Sequence, residues 1–254
     1  VFKDPKLRDL IREALEKNLE LRSAIEQIRV AEADFYQGRM SMLPTLSLGA
    51  DASYNEQSDN ASSFGGVGIG SIPASERYSV SMSSSWELDV WGKLTSAKQA
   101  SFAALLQAEA TRRAVQTRLI AQVANSYYRL TALDKQLEIT KETVKNRRQD
   151  VEAIRSLKES GLVTGVSLQQ SIANRYAAEV TIPELRQQIT EQEHALSILL
   201  GRAPGSIQRN SLAEQSTIDS LATGVPAQLL RNRPDIIAAE HSFRSAFELT
   251  NSAR

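Results

Sequence analysis

Residues 44–55 read PTLSLGADASYN and residues 77–88 read RYSVSMSSSWEL, two alternating runs on either side of a glycine- and serine-rich stretch. In the first run Leu46, Leu48, Ala50, Ala52 and Tyr54 share one face, and Thr45, Ser47, Gly49, Asp51 and Ser53 the other. In the second, Tyr78, Val80, Met82, Trp86 and Leu88 oppose Ser79, Ser81, Ser83, Ser85 and Glu87. Period-two alternation predicts strands with one apolar and one wet face. Each run is close to the ~9–11 residues that a tilted strand needs to cross a bilayer. Tyr54 and Tyr78 flank one end, Trp86 and Trp91 the other, where interfacial aromatics belong. The polar stretch 57–75 has the character of a long outer loop. Taken alone, the pair fits an ordinary half-buried hairpin better than a membrane-crossing one. What flanks it reverses that preference.

The flanks are helical and very long. Asp4-Pro5 sets an N-cap followed by proline in the first turn. From there Leu7, Leu10, Ile11, Leu15, Leu19, Leu21, Ile25, Ile28 and Ala31 predict one helix reaching about Met40. A second helix is predicted over 93–159, free of proline and glycine. Val123, Leu130, Leu137, Val144 and Val151 recur in it every seven residues, a coiled-coil seam. At 1.5 Å per residue it is ~100 Å long. The stretch 160–165 breaks it, with Gly161 as the C-terminal cap. Ser167 with Gln170 reads as a capping box opening a return helix. Leu168, Ile182, Ile189 and Leu196 hold the seven-residue spacing down to Gly201, and Pro183 is expected to kink it. Two shorter helices end to end beside the long one would form an antiparallel layer.

The chain also resembles itself. At an offset of 215, Leu15, Glu20, Leu21, Ala24, Arg29, Ala31 and Arg39 align with Leu230, Asp235, Ile236, Ala239, Arg244, Ala246 and Arg254. This predicts a duplicated protein of which these residues are the first half and the start of the second. The resulting organisation is a first-repeat helix at 4–42, a transmembrane β-hairpin at 43–92 and a long helical hairpin at 93–201 with its tip at 160–167. A connector follows at 202–228, and 229–254 opens the second repeat. The fold class is mainly α with a β-hairpin.

Composition narrows the chemistry. The 254 residues balance 30 basic against 30 acidic side chains, which gives no footprint for nucleic acid. There is no cysteine, hence no disulfide or thiolate metal site. No apolar run approaches the ~18 residues of a membrane helix, a test that barrel strands do not register on. Glu191 and His194 have the spacing of a di-iron motif but lack its partners, and His241 is isolated. Gly66-Val67-Gly68-Ile69-Gly70 has no helix after it to bind phosphate. Arg112-Arg113 and Arg147-Arg148 read as solvated faces. No enzyme and no cofactor is expected.

With Trp86-Glu87-Leu88-Asp89-Val90-Trp91-Gly92, Leu199-Leu200-Gly201-Arg202-Ala203-Pro204-Gly205 and Leu229-Leu230-Arg231-Asn232-Arg233-Pro234-Asp235-Ile236, the chain resembles the outer membrane factors of bacterial tripartite efflux pumps. This is the TolC/OprM family, and the resemblance is closest to its lipoprotein branch. It implies a homotrimer in the outer membrane, with a twelve-stranded barrel and a periplasmic helical tunnel. It also implies an inner membrane pump and a periplasmic adaptor that docks at Ser160, Gly161 and Leu162. Ser167 stands where many relatives carry an acid just after this tip. The family's acidic constriction falls in the second half, and its acylated cysteine falls upstream of Val1. On this resemblance Leu46, Leu48, Ala50, Val80 and Met82 face lipid, while Ser47, Asp51, Ser81 and Ser83 face the pore. The alternative is a periplasmic coiled-coil or adaptor protein, which has no use for strands of membrane length.

Overall fold

The computed structural model describes residues 2–56, 74–215 and 231–254. They form α1 (Pro5–Lys17), α2 (Leu19–Met40), β1 (Thr45–Asn55), β2 (Ser75–Ser85), α3 (Lys93–Glu159), α4 (Gly165–Leu199), a 3-10 turn (Leu212–Glu214) and α5 (Pro234–Ser252). The chain divides into two compact units, Val1–Arg29 with Leu106–Glu240, and Val30–Leu105 with His241–Arg254. The glycine run 66–70, most of the polar loop and the second half of the connector fall outside the described residues.

In the first unit the seam of α3 is buried as its periodicity predicts. Val123, Leu130, Val144 and Val151 are shielded from solvent, and Leu137 is partly covered. Val123 and Leu130 share one core cluster with Leu185, Ile189 and Leu196 of α4, and Leu168 of α4 is buried as well. Leu7, Leu10 and Ala14 of α1 close a three-helix core around Leu119, Val123, Tyr127 and Leu130. Each fully buried leucine contributes about 1.5–3 kcal/mol. Arg148 of α3 pairs with Glu179 of α4, and Arg209 bridges Asp134 to Glu193. Both bridges are symmetric about residues 163 and 164, as an antiparallel hairpin requires. Arg148 is therefore a cross-hairpin partner and not only a solvated face. α4 continues without interruption through Pro183.

The predicted single helix over 4–40 is two helices. Asn18, buried and extended (φ −61°, ψ 129°), separates α1 from α2. Its side-chain oxygen accepts from the Leu21 amide at 2.9 Å, while its amide nitrogen donates to the Leu199 carbonyl at 2.9 Å. The break is thus capped at one end and tied to the end of α4 at the other. Gly201 completes the joint: it lies at φ +66°, and a Cβ there would sit 2.5 Å from the Lys17 carbonyl oxygen. The same pattern recurs at the offset of 215. Residues 231 and 232 are helical, Arg233 interrupts, and α5 starts at Pro234. Arg233 is the repeat counterpart of Asn18.

In the second unit the segments 30–40 and 93–105 pack through small residues. Ala100 and Ala103 are buried, and a Cβ on Gly38 would come within 3.3 Å of Ser101 Oγ. Phe35 and Phe102 stack beside them with ring centroids 5.4 Å apart. β1 and β2 form an antiparallel ladder from Thr45↔Ser85 to Asn55↔Ser75. The alternation of the second run was expected to continue to Leu88, but β2 ends at Ser85. The next rung would place Trp86 opposite Pro44, which has no N–H to give the ladder. Trp86 instead donates its indole N–H to the Met42 carbonyl at 3.2 Å.

Two glycines separate backbone strain from steric clash. Gly92 (φ +76°) has open space around its Cβ position, whereas Gly201 does not. Alanine at Gly92 should cost about 1 kcal/mol, the ordinary left-handed penalty. Alanine at Gly201 should cost about 2–4 kcal/mol, because the clash with Lys17 adds to it. Thermal melts of the helical signal in the intact protein check the order.

Candidate functional site

Three places carry the chain's distinctive chemistry: the walls of the hairpin, the turn between α3 and α4, and a polar staple in the first unit.

Residues directly opposite in an antiparallel pair share a face. The register therefore puts Leu48 with Met82, Ala50 with Val80 and Ala52 with Tyr78 on one wall, with Leu46 beyond them. Ser47 with Ser83, Gly49 with Ser81 and Asp51 with Ser79 line the other. The two predicted sets occupy opposite walls throughout. The apolar wall is bare: Leu46, Leu48, Val80 and Met82 are all exposed. At its loop end the Tyr54 and Tyr78 hydroxyls donate to Glu56 and Glu76 at 3.2 and 3.3 Å. At its helix end Trp86, Leu88, Val90 and Trp91 are exposed, Trp91 at 92%. Eleven residues at ~3.4 Å rise, tilted by ~40°, span about 28 Å, enough for the ~25 Å apolar band of a barrel. Asp89 then starts α3. Its carboxylate accepts from the amides of Leu94 and Thr95, both at 2.9 Å, which accounts for the acid inside the Trp86–Gly92 motif.

At the turn, α3 ends in a Schellman motif. The Gly161 amide donates to Lys158 at 3.0 Å and the Leu162 amide to Leu157 at 2.9 Å, with Gly161 at φ +74°. Ser160 Oγ donates back to the Ser156 carbonyl at 2.9 Å. Leu162 is left 72% exposed and Val166 also projects into solvent. The predicted capping box at Ser167 is displaced. The N-cap is Thr164, whose hydroxyl accepts from the Ser167 amide at 3.4 Å, and α4 already begins at Gly165. Ser167 lies three positions after Thr164, so Ser167 is the capped residue and not the cap.

The staple escaped the sequence reading, which saw Asp4 only as an N-cap. Asp4 does cap α1, accepting from the Lys6 amide at 2.9 Å. Its carboxylate also accepts from Tyr127 Oη at 2.6 Å, Gln215 Nε2 at 2.7 Å and Asn210 Nδ2 at 3.1 Å. Tyr127, fully buried, accepts in turn from the Asn210 amide at 3.1 Å. One step along, Arg209 grips Asp134 of α3 through two nitrogens and Glu193 of α4 at 2.5 Å. The segment 206–215 is thereby bound across α1, α3 and α4 with a single buried apolar residue, Ile207. Burial pushes the Asp4 carboxyl up, but the bonds from Tyr127, Gln215 and the Lys6 and Leu7 amides outweigh it and hold the pKa below 3.8. Burial, with the neighbouring carboxylate, pushes the Tyr127 hydroxyl up to about 12.

Among the described residues no His, Asp and Glu cluster has the makings of a metal site. His194 is exposed, and Glu191 accepts from Gln187. No described helix is long and apolar enough to cross a membrane.

Comparison with known proteins agrees with this geometry. The sequence pattern described as outer membrane efflux protein matches residues 10–202. The chain belongs to the outer membrane efflux protein family. It is 31% identical over 254 residues to the toluene efflux pump outer membrane protein TtgF of Pseudomonas putida, covering all of this chain and 52% of the relative. It is 30% identical to the solvent efflux pump outer membrane protein SrpC of the same species, covering 53% of it. Its fold matches the outer-membrane channel OprN with a TM-score of 0.81 at 26% identity, over 99% of this chain and 56% of that one. The open-state MtrE channel of Neisseria gonorrhoeae matches at 0.78 and 27%, over 100% of this chain and 55% of that one. The chain spans about half the length of the curated relatives it matches.

The staple has a pH signature. A carboxyl whose folded pKa lies below its ordinary 3.8 stabilises the fold fully above that value, and the contribution is lost as pH falls through the folded pKa. Asp4→Asn, which leaves the Tyr127 hydroxyl facing an amide, should cost about 1–3 kcal/mol at neutral pH. The gap in melting temperature between wild type and this variant should close as pH drops below about 3.8. A gap independent of pH would mean that the carboxylate's charge contributes nothing.

Proposed function

We propose that the protein is the exit duct of a tripartite efflux system in the bacterial outer membrane, a passive conduit with no catalytic role. What carries the reading is the hairpin: two strands of membrane length with one bare apolar wall and one hydroxyl-lined wall, in a chain of the efflux family. Lipid tolerates no unpaired strand edge, so β1 and β2 require neighbouring strands. A homotrimer of the intact protein supplies them in a closed barrel. Leu46, Leu48, Ala50, Val80 and Met82 face lipid, and Ser47, Asp51, Ser81 and Ser83 face the water-filled bore. Tyr54 and Tyr78 mark one interface, Trp86 and Trp91 the other. The helical hairpin extends into the periplasm. Its turn, with Leu162 projecting and Gly161 leaving the approach clear, docks a periplasmic adaptor, and the adaptor links the duct to the inner membrane pump that drives transport. Relatives twice the length of this chain, together with the recurrence of the Asn18 break at Arg233, support a second helix–hairpin–helix repeat in the intact protein.

A charge on the lipid wall at mid-depth costs about 2–4 kcal/mol, and one on the bore wall costs little. Val80→Arg should therefore abolish heat-resistant trimer in outer membrane fractions, while Ser81→Arg preserves it. Equal tolerance would return the protein to the coiled-coil spacer reading. Leu162→Asp tests the turn separately: trimer should form normally while efflux from whole cells is lost, and unchanged efflux would remove the turn from the docking surface.

A further inference from the structure

We infer that Asp51 and Arg77 are the residues at which this duct reads the charge of a passing solute. The inference rests on the bore-facing assignment proposed above. On the hydroxyl-lined wall the rungs nearest the helices are Thr45↔Ser85, Ser47↔Ser83 and Gly49↔Ser81, all neutral and small. Gly49 has no side chain, and its vacant Cβ position lies 3.0 Å from Ser81 Oγ, so this stretch of wall is flat. The next two rungs are Asp51↔Ser79 and Ser53↔Arg77, which place a carboxylate and a guanidinium diagonally adjacent. Diagonal neighbours stand about 7–8 Å apart. Both are exposed, and neither belongs to an ion pair among the described residues. Among the described residues, the two carboxylates beside them are engaged elsewhere. Glu76 lies opposite Tyr54 on the apolar wall and accepts from Tyr78, and Glu56 accepts from Tyr54.

Above a flat floor of serine and glycine, the Asp51 carboxylate and the longer Arg77 guanidinium are the charged parts of this wall. Walls of low dielectric focus the field of such groups into the bore. Rings of charged side chains are a standard source of ion selectivity in pores. Repetition of the pair by each copy around a closed barrel places both charges at one level of the duct, above three neutral rungs of the same two strands. Asp51 raises the local concentration of cations and Arg77 that of anions.

The chain contains no cysteine, so a thiol introduced on the wall can report the local potential. In the intact protein on whole cells, Ser79→Cys is reacted with a cationic and an anionic methanethiosulfonate, after heat-resistant trimer has been verified. A unit charge about 5 Å away in water changes the rate of each reagent about two- to four-fold, in opposite directions. Adding Asp51→Asn should therefore lower the cation-to-anion rate ratio about 4- to 16-fold. Arg77→Gln should raise the ratio in the same range. At Ser83→Cys, ~14 Å along the strand from Asp51 and ~20 Å from Arg77, both beyond the ~8–10 Å screening length, the ratio should stay within about two-fold. A ratio at Ser79→Cys that neither change moves overturns the inference, as does an equal shift at Ser83→Cys. If neither thiol reacts with either reagent while Val80→Cys does, the bore-facing assignment itself is wrong. That outcome is distinct from a reactive but charge-indifferent Ser79→Cys.

Discussion

The backbone ladder from Thr45↔Ser85 to Asn55↔Ser75 is the constraint on which the rest of the molecule depends. Each strand satisfies its N–H and C=O groups on one side only. Its outer edge is tolerable in water and intolerable in lipid, where each unsatisfied group costs several kcal/mol. The hairpin also buries nothing of its own: every residue of β2 is exposed, and so is nearly every residue of β1. Two strands alone are at best marginally stable. Such an element persists in a protein only where other strands and an apolar solvent complete it. The closed barrel proposed for the intact protein meets both needs.

The helical part is held by a different balance. Around Tyr127 three helices bury leucine against leucine, and the core would be adequate in any soluble bundle. Toward the turn the same two helices carry only Val144, Val151, Leu168 and Ser171 as buried residues, and Ile139, Tyr176 and Val180 are left exposed. Stability thus falls from the three-helix core to the tip. The segment 206–215 adds little apolar area and is bound through Asp4, Tyr127, Asn210 and Arg209. Such a clasp is directional: it fixes where the chain lies, whereas a leucine seam tolerates sliding.

Which features were legible in the sequence follows from their range. The α3 seam, β1 and the Gly161 cap are written in local periodicity or in one residue's φ preference, and each falls where the pattern puts it. The end of β2 was not legible from its own alternation, because what stops it is Pro44, forty-two residues earlier and opposite Trp86. The break at Asn18 depends on the Leu199 carbonyl and on Gly201, both far along the chain. A local signal did exist there, since Asn18 aligns with Arg233, the residue before Pro234, and a proline at that point of the repeat marks a helix start. The staple gave no such signal. Asp4 already had a sufficient local role as a cap, and nothing near Asn210 or Gln215 announces that they return to it.

On the duct reading proposed above, the hydroxyl-lined wall is specific in form without being specific in chemistry. A binding site converges a few polar groups on one point within a largely apolar pocket. Here the polar groups are spread along a strand at every second residue, and most are serines that can donate or accept with equal ease. A solute meeting this wall exchanges water hydroxyls for serine hydroxyls at nearly constant free energy, so no rung holds it. Conduction needs that uniformity, because a deep minimum anywhere would slow exit. Asp51 and Arg77 are the departure from it, two exposed charges on adjacent rungs of an otherwise neutral wall. On that proposed reading the serine rungs are indifferent to what passes, and any discrimination by this wall is by charge, at the Asp51 and Arg77 rungs.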